Sequence, residues 1–443
     1  MWYDGARSNR FPLSTPFSPS MARIHLPLLA ALALCAAAVP LPAPAQGADI
    51  TVTGTAQSSG KRTVSFAALA ADATPAAREF LATLRNDLAI SGWFVPTDRP
   101  EASVILSGAV RGSSYGVDAS VSALWNLRAS SQSWQRRVPA ASLRDEAHAM
   151  ADEIVRRVAG KEPMASSKIL FVGRRGGATD IYECDADGAR LHFITGEGKL
   201  CLSPNWEPRA NAFHYTSWNT GRPIAYRVDL ATNVRKPVSA SPGMNQGATL
   251  SPDGSRVAIV LSRSGTVDLY LVDPATRRPV DRLTRSKANE SSPSWSPDGR
   301  SLVYASDEGG YPRCYVMDLA SRTPRRLVWS STIRENVAPE WGPDGRIAFC
   351  GRSGGRYGIY VADPSGNTRT AVPKAVSPAD GADYEDPSWA PDGRHLVCTR
   401  TAGFRRSLVV LDTEGDPARK LFDVPGDWYL PSWSANAVAA PAR

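Results

Sequence analysis

From Lys168 to Ser434 the chain alternates short apolar runs with polar turns. Runs such as Arg256 to Leu261, Ser301 to Ala305, Ile347 to Cys350 and Leu396 to Thr399 are each followed by a Ser/Gly-rich turn. A second apolar run marked by tyrosine comes next: Leu269-Tyr270-Leu271-Val272, Cys314-Tyr315-Val316-Met317 and Ile359-Tyr360-Val361-Ala362. Runs of this length bounded by turn residues predict strands. A shorter outer segment, Asp281-Arg282-Leu283-Thr284 or Arg325-Arg326-Leu327, completes the unit.

A lead motif precedes each unit. Pro293-Ser294-Trp295-Ser296-Pro297-Asp298-Gly299 returns as Pro339-Glu340-Trp341-Gly342-Pro343-Asp344-Gly345 and as Pro387-Ser388-Trp389-Ala390-Pro391-Asp392-Gly393. Ala248-Thr249-Leu250-Ser251-Pro252-Asp253-Gly254 puts Leu in the Trp slot, Pro204-Asn205-Trp206-Glu207-Pro208 is an eroded copy, and Pro431-Ser432-Trp433-Ser434 closes the series. The slots at 206, 250, 295, 341, 389 and 433 recur at steps of 44 to 48 residues. Four short strands in about 45 residues make one blade of a β-propeller. In Pro-Asp-Gly the Asp is expected to hydrogen-bond its own backbone and the Gly to take left-handed angles. The recurring Trp is expected to pack between blades.

The phase of the repeat predicts closure. Lys168-Ile169-Leu170-Phe171-Val172 opens a unit with no lead, and Pro431-Ser432-Trp433 is a lead with no unit. The C-terminal piece therefore supplies the missing strand of the first blade, closing six blades and leaving no open sheet edge.

Upstream the periodicity changes. Thr63 to Phe66 reads as a strand, and Thr74-Pro75 as the cap and first residue of a helix that buries Phe80, Leu81, Leu84 and Leu88 and ends at Gly92. Ser103 to Val110 and Tyr115 to Leu127 alternate as a hairpin. A second helix opens at Ser142, with Asp145 placed to support the cap, buries Leu143, Ala147, Met150, Ile154 and Val158, and stops at Gly160. His148, mid-helix, reads as a surface or packed residue rather than a ligand or base. The fold class is mainly β with a small α/β domain: an N-terminal α/β domain (46–160), a linker (161–167), a six-bladed β-propeller (168–434) closed by the C-terminal strand, and a tail (435–443).

Residues 1–45 read as an upstream extension followed by a cleaved signal. Met21-Ala22-Arg23-Ile24-His25 is a short basic start, Leu26 to Val39 is apolar, and Ala43-Pro44-Ala45 offers small residues for cleavage before Gln46. The apolar run is shorter than the roughly 17–25 residues a membrane span needs, which predicts export to the periplasm and no integral membrane segment in the mature chain. The net charge of +8 is scattered in isolated pairs such as Arg277-Arg278 and Arg405-Arg406, which argues against nucleic acid as a partner. Without Cys35 the cysteines are Cys184, Cys201, Cys314, Cys350 and Cys398, an odd number. With no C-x-x-C and few histidines, neither zinc nor redox chemistry is favoured, and a Cys184–Cys201 disulfide stays open.

Three patterns bear on chemistry. Gly351-Arg352-Ser353-Gly354-Gly355 matches the nucleophile-elbow spacing, but it aligns with the hairpin turns of other repeats, so it is read as a turn. The Asp-Gly turns carry one acid each, too few for an EF-hand. The loops that cross into each lead are expected on one face around the axis. They carry Met244, Asn245, Gln246 and Gly247; Asn289, Glu290 and Ser291; Glu335 and Asn336; and Asp383, Tyr384 and Glu385. Asn and acids without His or Cys suit a protein-binding rim, with no catalytic residue, metal or cofactor expected.

This order of signal, α/β domain, linker and six Pro-x-Trp-x-Pro-Asp-Gly repeats resembles the TolB family, periplasmic propellers of the Tol–Pal system. Leu84-Arg85-Asn86-Asp87-Leu88 before Ser91-Gly92-Trp93-Phe94, and Ala151-Asp152-Glu153-Ile154 before Lys168-Ile169-Leu170-Phe171-Val172, also resemble it. The resemblance implies a non-enzymatic, monomeric scaffold whose propeller binds the peptidoglycan-associated lipoprotein Pal. It further implies that the extreme N-terminus, here Gln46 to about Lys61 with Asp49, Ile50, Thr51 and Val52, binds TolA, an inner-membrane protein. Outer-membrane integrity, constriction at cell division and protein import would follow. Met244, Gly247 and Ser291 stand at positions that the family uses, although the lead at Trp206 lacks Asp-Gly. The alternatives are an exported propeller hydrolase or lyase, which would need far more chain than follows Trp433, and a propeller that binds small ligands or glycans.

Overall fold

The computed structural model describes residues 60–126, 128–175, 177–328, 332–365 and 372–435. The predicted signal and the segment Asp49 to Val52 lie outside the described residues.

The first part is a five-stranded sheet carrying two helices. Its strands are β1 (Arg62–Ala71), β2 (Phe94–Thr97), β3 (Val104–Gly112), β4 (Gly116–Trp125) and β5 (Ser130–Pro139), in the spatial order β2-β1-β3-β4-β5. Helix α1 (Pro75–Ile90) starts as its sequence predicts: Pro75 is the first residue, and the Thr74 hydroxyl accepts from the Ala77 amide at 3.3 Å. Phe80, Leu84 and Leu88 turn inward to join Val104, Leu106, Val121 and Met150 in one core. Helix α2 (Leu143–Ile154) continues as one π-turn, Val155–Ala159, and ends where Gly160 takes φ +66°. Ser142 corrects the expected cap. Its hydroxyl donates backward to the Pro139 carbonyl at 3.4 Å and makes no cap bond to the helix.

The rest is the six-bladed propeller, with every blade a four-stranded antiparallel sheet. Blade 4 is representative: Glu290–Trp295, Ser301–Ser306, Arg313–Asp318 and Pro324–Arg326. Blade 1 combines Lys168–Arg175, Ala178–Asp185 and His192–Phe193 with the C-terminal strand Asp427–Trp433, so the two ends of the propeller close one sheet. The lead strands pack one against the next all the way round, including Asp427–Trp433 against Cys201–Trp206.

Lead strands are joined by hydrogen bonds as well as by packing. The residue before the Trp slot accepts from the slot amide of the next blade: Ser294 from Trp341 at 3.0 Å, Ser388 from Trp433 at 2.9 Å and Ser432 from Trp206 at 3.2 Å. Glu340 plays the same part for Trp389 at 3.1 Å. The indoles of Trp295 and Trp389 donate to the carbonyls of Thr249 and Glu340 in the preceding blade. The Trp slot is thus both an apolar wedge and a donor in the ring. The Asp-Gly turns behave as their sequence predicts. Gly299 donates to Ser296 at 2.9 Å with φ +70°, and Asp298 accepts from the Arg300 amide at 3.0 Å.

The eroded lead has its own logic. Glu207, beside Trp206, is buried; it takes the Arg227 guanidinium through both oxygens (2.7 and 2.9 Å) and lies 3.3 Å from His214. Where other blades carry Asp-Gly, blade 2 keeps a turn closed by the Glu207 amide on the Ala212 carbonyl at 2.9 Å, and the Glu207 carboxylate ties that turn to the second and third strands.

A crossing-loop rim opposite a charged seam

Antiparallel pairing decides which loops share a face. Each lead strand runs from its crossing loop to its Asp-Gly turn, and the second strand runs back. The hairpin joining second and third strands therefore lies beside the crossing loop, on what we term the rim. The Asp-Gly turn and the turn after the third strand lie at the other end, on the turn face.

The α/β domain sits on the turn face. Arg394, in the turn of blade 6, donates to the Gly92 carbonyl at 3.0 Å and stacks over the Trp93 ring at 4.4 Å. The same guanidinium pairs with Asp412 at 2.7 Å and Asp416 at 3.2 Å, and Lys61 reaches Asp416 at 2.5 Å. Gly92 takes φ +75°, which favours glycine, and a Cβ there would stand 2.4 Å from the Arg394 guanidinium carbon and displace it. On blade 1, Asp185 ends the third strand and meets His148 and Arg144 of α2. Ser167 accepts the Trp433 indole N–H at 2.7 Å.

Among the described residues the α/β domain leaves the rim uncovered, and the residues expected there divide by burial. Asn245, Glu290, Asn336 and Tyr384 are buried rather than displayed. Asn245 is fully engaged: its carbonyl oxygen accepts from Ser239 and the Ser241 amide, and its NH2 donates to the carbonyls of Pro223, Ser241 and Gly243. Tyr384 donates to Asp380 at 3.0 Å. Met244, Gln246, Gly247, Asn289, Ser291, Glu335, Asp383 and Glu385 are half-buried. Met244 packs against the core shared by blades 3 and 4. Glu335 accepts from Arg352 at 3.0 Å and from the Tyr357 hydroxyl at 2.6 Å, while Asp383 takes Arg356 at 2.8 Å and the Tyr357 amide at 2.9 Å.

Other rim groups are left unspent. Glu290, 3 % exposed, accepts from Ser286 through one oxygen, while its other oxygen has no partner; the Ser291 hydroxyl and the Asn336 carbonyl oxygen also have none. Burial pushes the Glu290 carboxyl up to about 7. Burial, and then the neighbouring Asp386, pushes Glu385 up to about 7 as well. The 2–3 hairpins, which sequence reasoning left out of the rim, complete it. Asp307 of blade 4 takes the Asn289 amide and side chain at 2.7 and 2.9 Å. With Ser286, Lys287, Glu308 and Gly309 these residues form an open cleft of about 430 Å³. Tyr311 and Phe404 stand exposed at hairpins of blades 4 and 6.

Candidate chemistry elsewhere resolves into structure. Gly351-Arg352-Ser353-Gly354-Gly355 lies on a β-hairpin, Ser353 pairing with Arg356. No helix follows to make a nucleophile elbow. Cys184, Cys201, Cys314, Cys350 and Cys398 are all free and buried. Among the described residues no helix is long and apolar enough to cross a membrane.

Fold and rim together define a six-bladed propeller with one face occupied by its own α/β domain and, among the described residues, one polar face left uncovered. Residues 155–437 match the PD40 family, described as the TolB beta propeller domain, and the chain belongs to that family. The Tol-Pal system protein TolB of Bordetella pertussis and that of Bordetella parapertussis are each 29% identical to it over 177 residues. The match spans 40% of this chain and 40% of the length of each relative. The crystal structure of TolB from Acinetobacter baumannii superposes with a TM-score of 0.74 at 23% identity, covering 84% of this chain and 96% of that one. Kuenenia stuttgartiensis hydrazine synthase, at 12% identity and TM-score 0.50, covers 62% of this chain and 47% of that one. These two likenesses are of fold.

Proposed function

We propose that this chain is a non-catalytic periplasmic scaffold of a Tol–Pal system. The rim binds a Pal-like lipoprotein, and the segment around Asp49 to Val52 binds a TolA-like inner-membrane protein. Coupling the two would support outer-membrane integrity and constriction at division. Family membership and the names of the Bordetella relatives support the system. The observation that carries the rim assignment is the gathering of unpaired buried polar atoms, at Glu290, Ser291 and Asn336, on the lead strands of neighbouring blades behind the face that the α/β domain leaves open. A partner that supplies donors and acceptors there relieves a desolvation cost already present in the free protein.

Burial redistributes the roles on the rim. Asn245 and Tyr384 shape the loops from inside, whereas Lys287, Arg334 and Glu308 are exposed and carry the charge that a partner meets first. The test is capture of a purified Pal-like lipoprotein by the mature chain. Lys287→Glu and Arg334→Glu are each expected to weaken capture about tenfold, or about 1.4 kcal/mol, with a changed salt dependence. Unchanged capture by both variants would remove the rim from the interface.

A further inference from the structure

The seam between α2 and blade 1 is built around one buried histidine. His148 is 1 % exposed. Its Nδ1 lies 2.7 Å from Asp87 Oδ2 on α1, and its Nε2 lies 3.3 Å from Asp185 Oδ2 on the third strand of blade 1. The ring therefore bridges three elements, two of the α/β domain and one of the propeller. Donating to both carboxylates at once requires both ring nitrogens protonated.

The surroundings distinguish the two carboxylates. Asp185 is held besides by Lys168 at 2.5 Å, Arg190 at 2.8 Å and Arg144 at 3.4 Å. Asp87 is buried and has no such support: among the described residues His148 is the sole hydrogen-bond partner of its carboxylate, and its Oδ1 has none. Further charge faces the ring from Asp187, which pairs with Arg144, and from Asp152 on α2, whose carboxylate is bonded to the amides of Ala165 and Ser166. Arg419 of blade 6 reaches the Ala186 carbonyl beside them at 3.0 Å. One ligand atom from each of His148, Asp185 and Asp187 lies within 4.8 Å of the others. Arg144, Arg190 and Lys168 already take those carboxylate oxygens, so the ligand that the cluster is built to hold is a proton.

We propose that His148 is a proton-operated latch that fastens the α/β domain to blade 1. With both nitrogens protonated the ring satisfies Asp87 and Asp185 together. Loss of one proton leaves a lone pair facing a carboxylate. Asp185 keeps its lysine and arginines, whereas Asp87, a buried charge with no other partner among the described residues, loses the neighbouring positive charge in either tautomer. Opening the seam to water is the relief available.

Burial alone would depress the His148 pKa, but the hydrogen bonds to Asp185 and Asp87 outweigh it and raise it to about 9. Burial raises Asp87 to about 6. A histidine whose pKa is higher in the closed form stabilises that form fully below its free value of about 6.5 and ceases to do so as pH climbs through about 9. The latch is closed in acid and loosens progressively as pH climbs from about 6.5 through about 9.

The experiment uses the mature chain. The His148 ring is followed by NMR, and amide exchange of residues 143–167, corrected for intrinsic rates, is compared at pH 6.5 and pH 9. The ring is expected to titrate well above 7, and protection in α2 and the following segment to fall by about tenfold across the range. His148→Gln, which hydrogen-bonds but does not titrate, is expected to remove most of that pH dependence. Titration of the ring below 7, equal protection at both pH values, or a His148→Gln variant with the wild-type profile would each overturn the latch. If that variant does not fold, the ring titration and the wild-type exchange decide alone.

Discussion

The Asp-Gly turns on one face of the propeller and the bulged lead strands toward the other handle awkward backbone and buried charge differently. Where the turn face needs positive φ at an Asp-Gly turn it uses glycine: Gly254, Gly299, Gly345 and Gly393 take φ between +67° and +86°. Partway along each lead strand a bulge breaks the register, and the residue three before the Trp slot also takes positive φ. There the residues are Ser203, Ser292, Ala338, Asp386 and Leu430, at φ between +46° and +53°, with glycine only at Gly247 in blade 3. Such a conformation costs an ordinary residue about 1–3 kcal/mol. Charges divide the same way. On the turn face Asp185 and Asp412 each hold more than one cation, while toward the rim Glu290 keeps an unpaired oxygen. The turn face gives its clustered carboxylates several cations each, although Asp87 Oδ1 and the Trp93 indole N–H keep no partner there and Arg190, Asn233, Arg277 and Arg322 take positive φ in its outer turns. The rim side keeps strain and unspent polar groups, which is where contact with another molecule has most to gain.

The largest test removes the anchor of the docked face. Asp185→Ala takes away the buried carboxylate that Lys168, Arg190, Arg144 and His148 share, leaving Arg144 only Asp187, His148 only Asp87, and Lys168 and Arg190 only Asp145. Breaking a buried pair from one side costs about 3–5 kcal/mol, so the urea midpoint is expected to fall sharply, and protection of α2 with it. A loss under about 1 kcal/mol would mean that the seam is ornament to docking, and the contrast between the faces would fail.

On the rim the same kind of change is expected to help. The folded-state pKa of Glu290 stands at about 7, above the 4.5 of a free glutamate, because burial penalises its charge. The folded form therefore binds the proton more tightly than the unfolded one, and stability falls as pH rises from 4.5 to 7. Glu290→Gln removes that penalty. It is expected to gain about 1–3 kcal/mol over the parent at pH 8 and almost nothing at pH 4, read as two pairs of urea curves. A rim carboxylate that stabilises the free protein at pH 8 would reverse the comparison.

Much of the architecture was legible because it repeats. Six leads at nearly constant spacing predicted six blades, and the unmatched lead at Trp433 predicted the closure that pairs it with Ile169. The strand β5 was not legible: in Ser-Ser-Gln-Ser-Trp-Gln-Arg-Arg-Val-Pro only Trp134 and Val138 turn inward, four residues apart on an edge strand. The rim loops could be placed by their position before each lead, but not their burial. Asn245 and Glu290 look like surface residues until their hydrogen bonds and neighbours are seen. The latch left no local signal at all, since Asp87 and Asp185 lie 61 and 37 residues from His148. Glu207 looked like decay of a motif, when it is the centre of a different interaction.

The smallest test addresses the bulges themselves. Gly247 offers a control, because a Cβ there would meet nothing nearer than the Pro293 ring at 3.5 Å, an ordinary contact. Gly247→Ala therefore reports backbone strain and little else, and at φ +65° it is expected to cost about 1 kcal/mol. Ala338→Gly is the reverse experiment on the equivalent residue of blade 5. It removes a left-handed alanine at the expense of a more flexible unfolded chain, for a net gain of about 0.5 kcal/mol. Opposite signs at these two positions, measured by urea denaturation under one set of conditions, would establish that the lead strands carry strain that glycine could relieve. The same Ala338→Gly chain then asks whether that strain matters to binding. If the bulge holds the rim in its binding shape, the variant is more stable yet captures a Pal-like lipoprotein more weakly. Equal capture would confine the strain to the architecture of the ring.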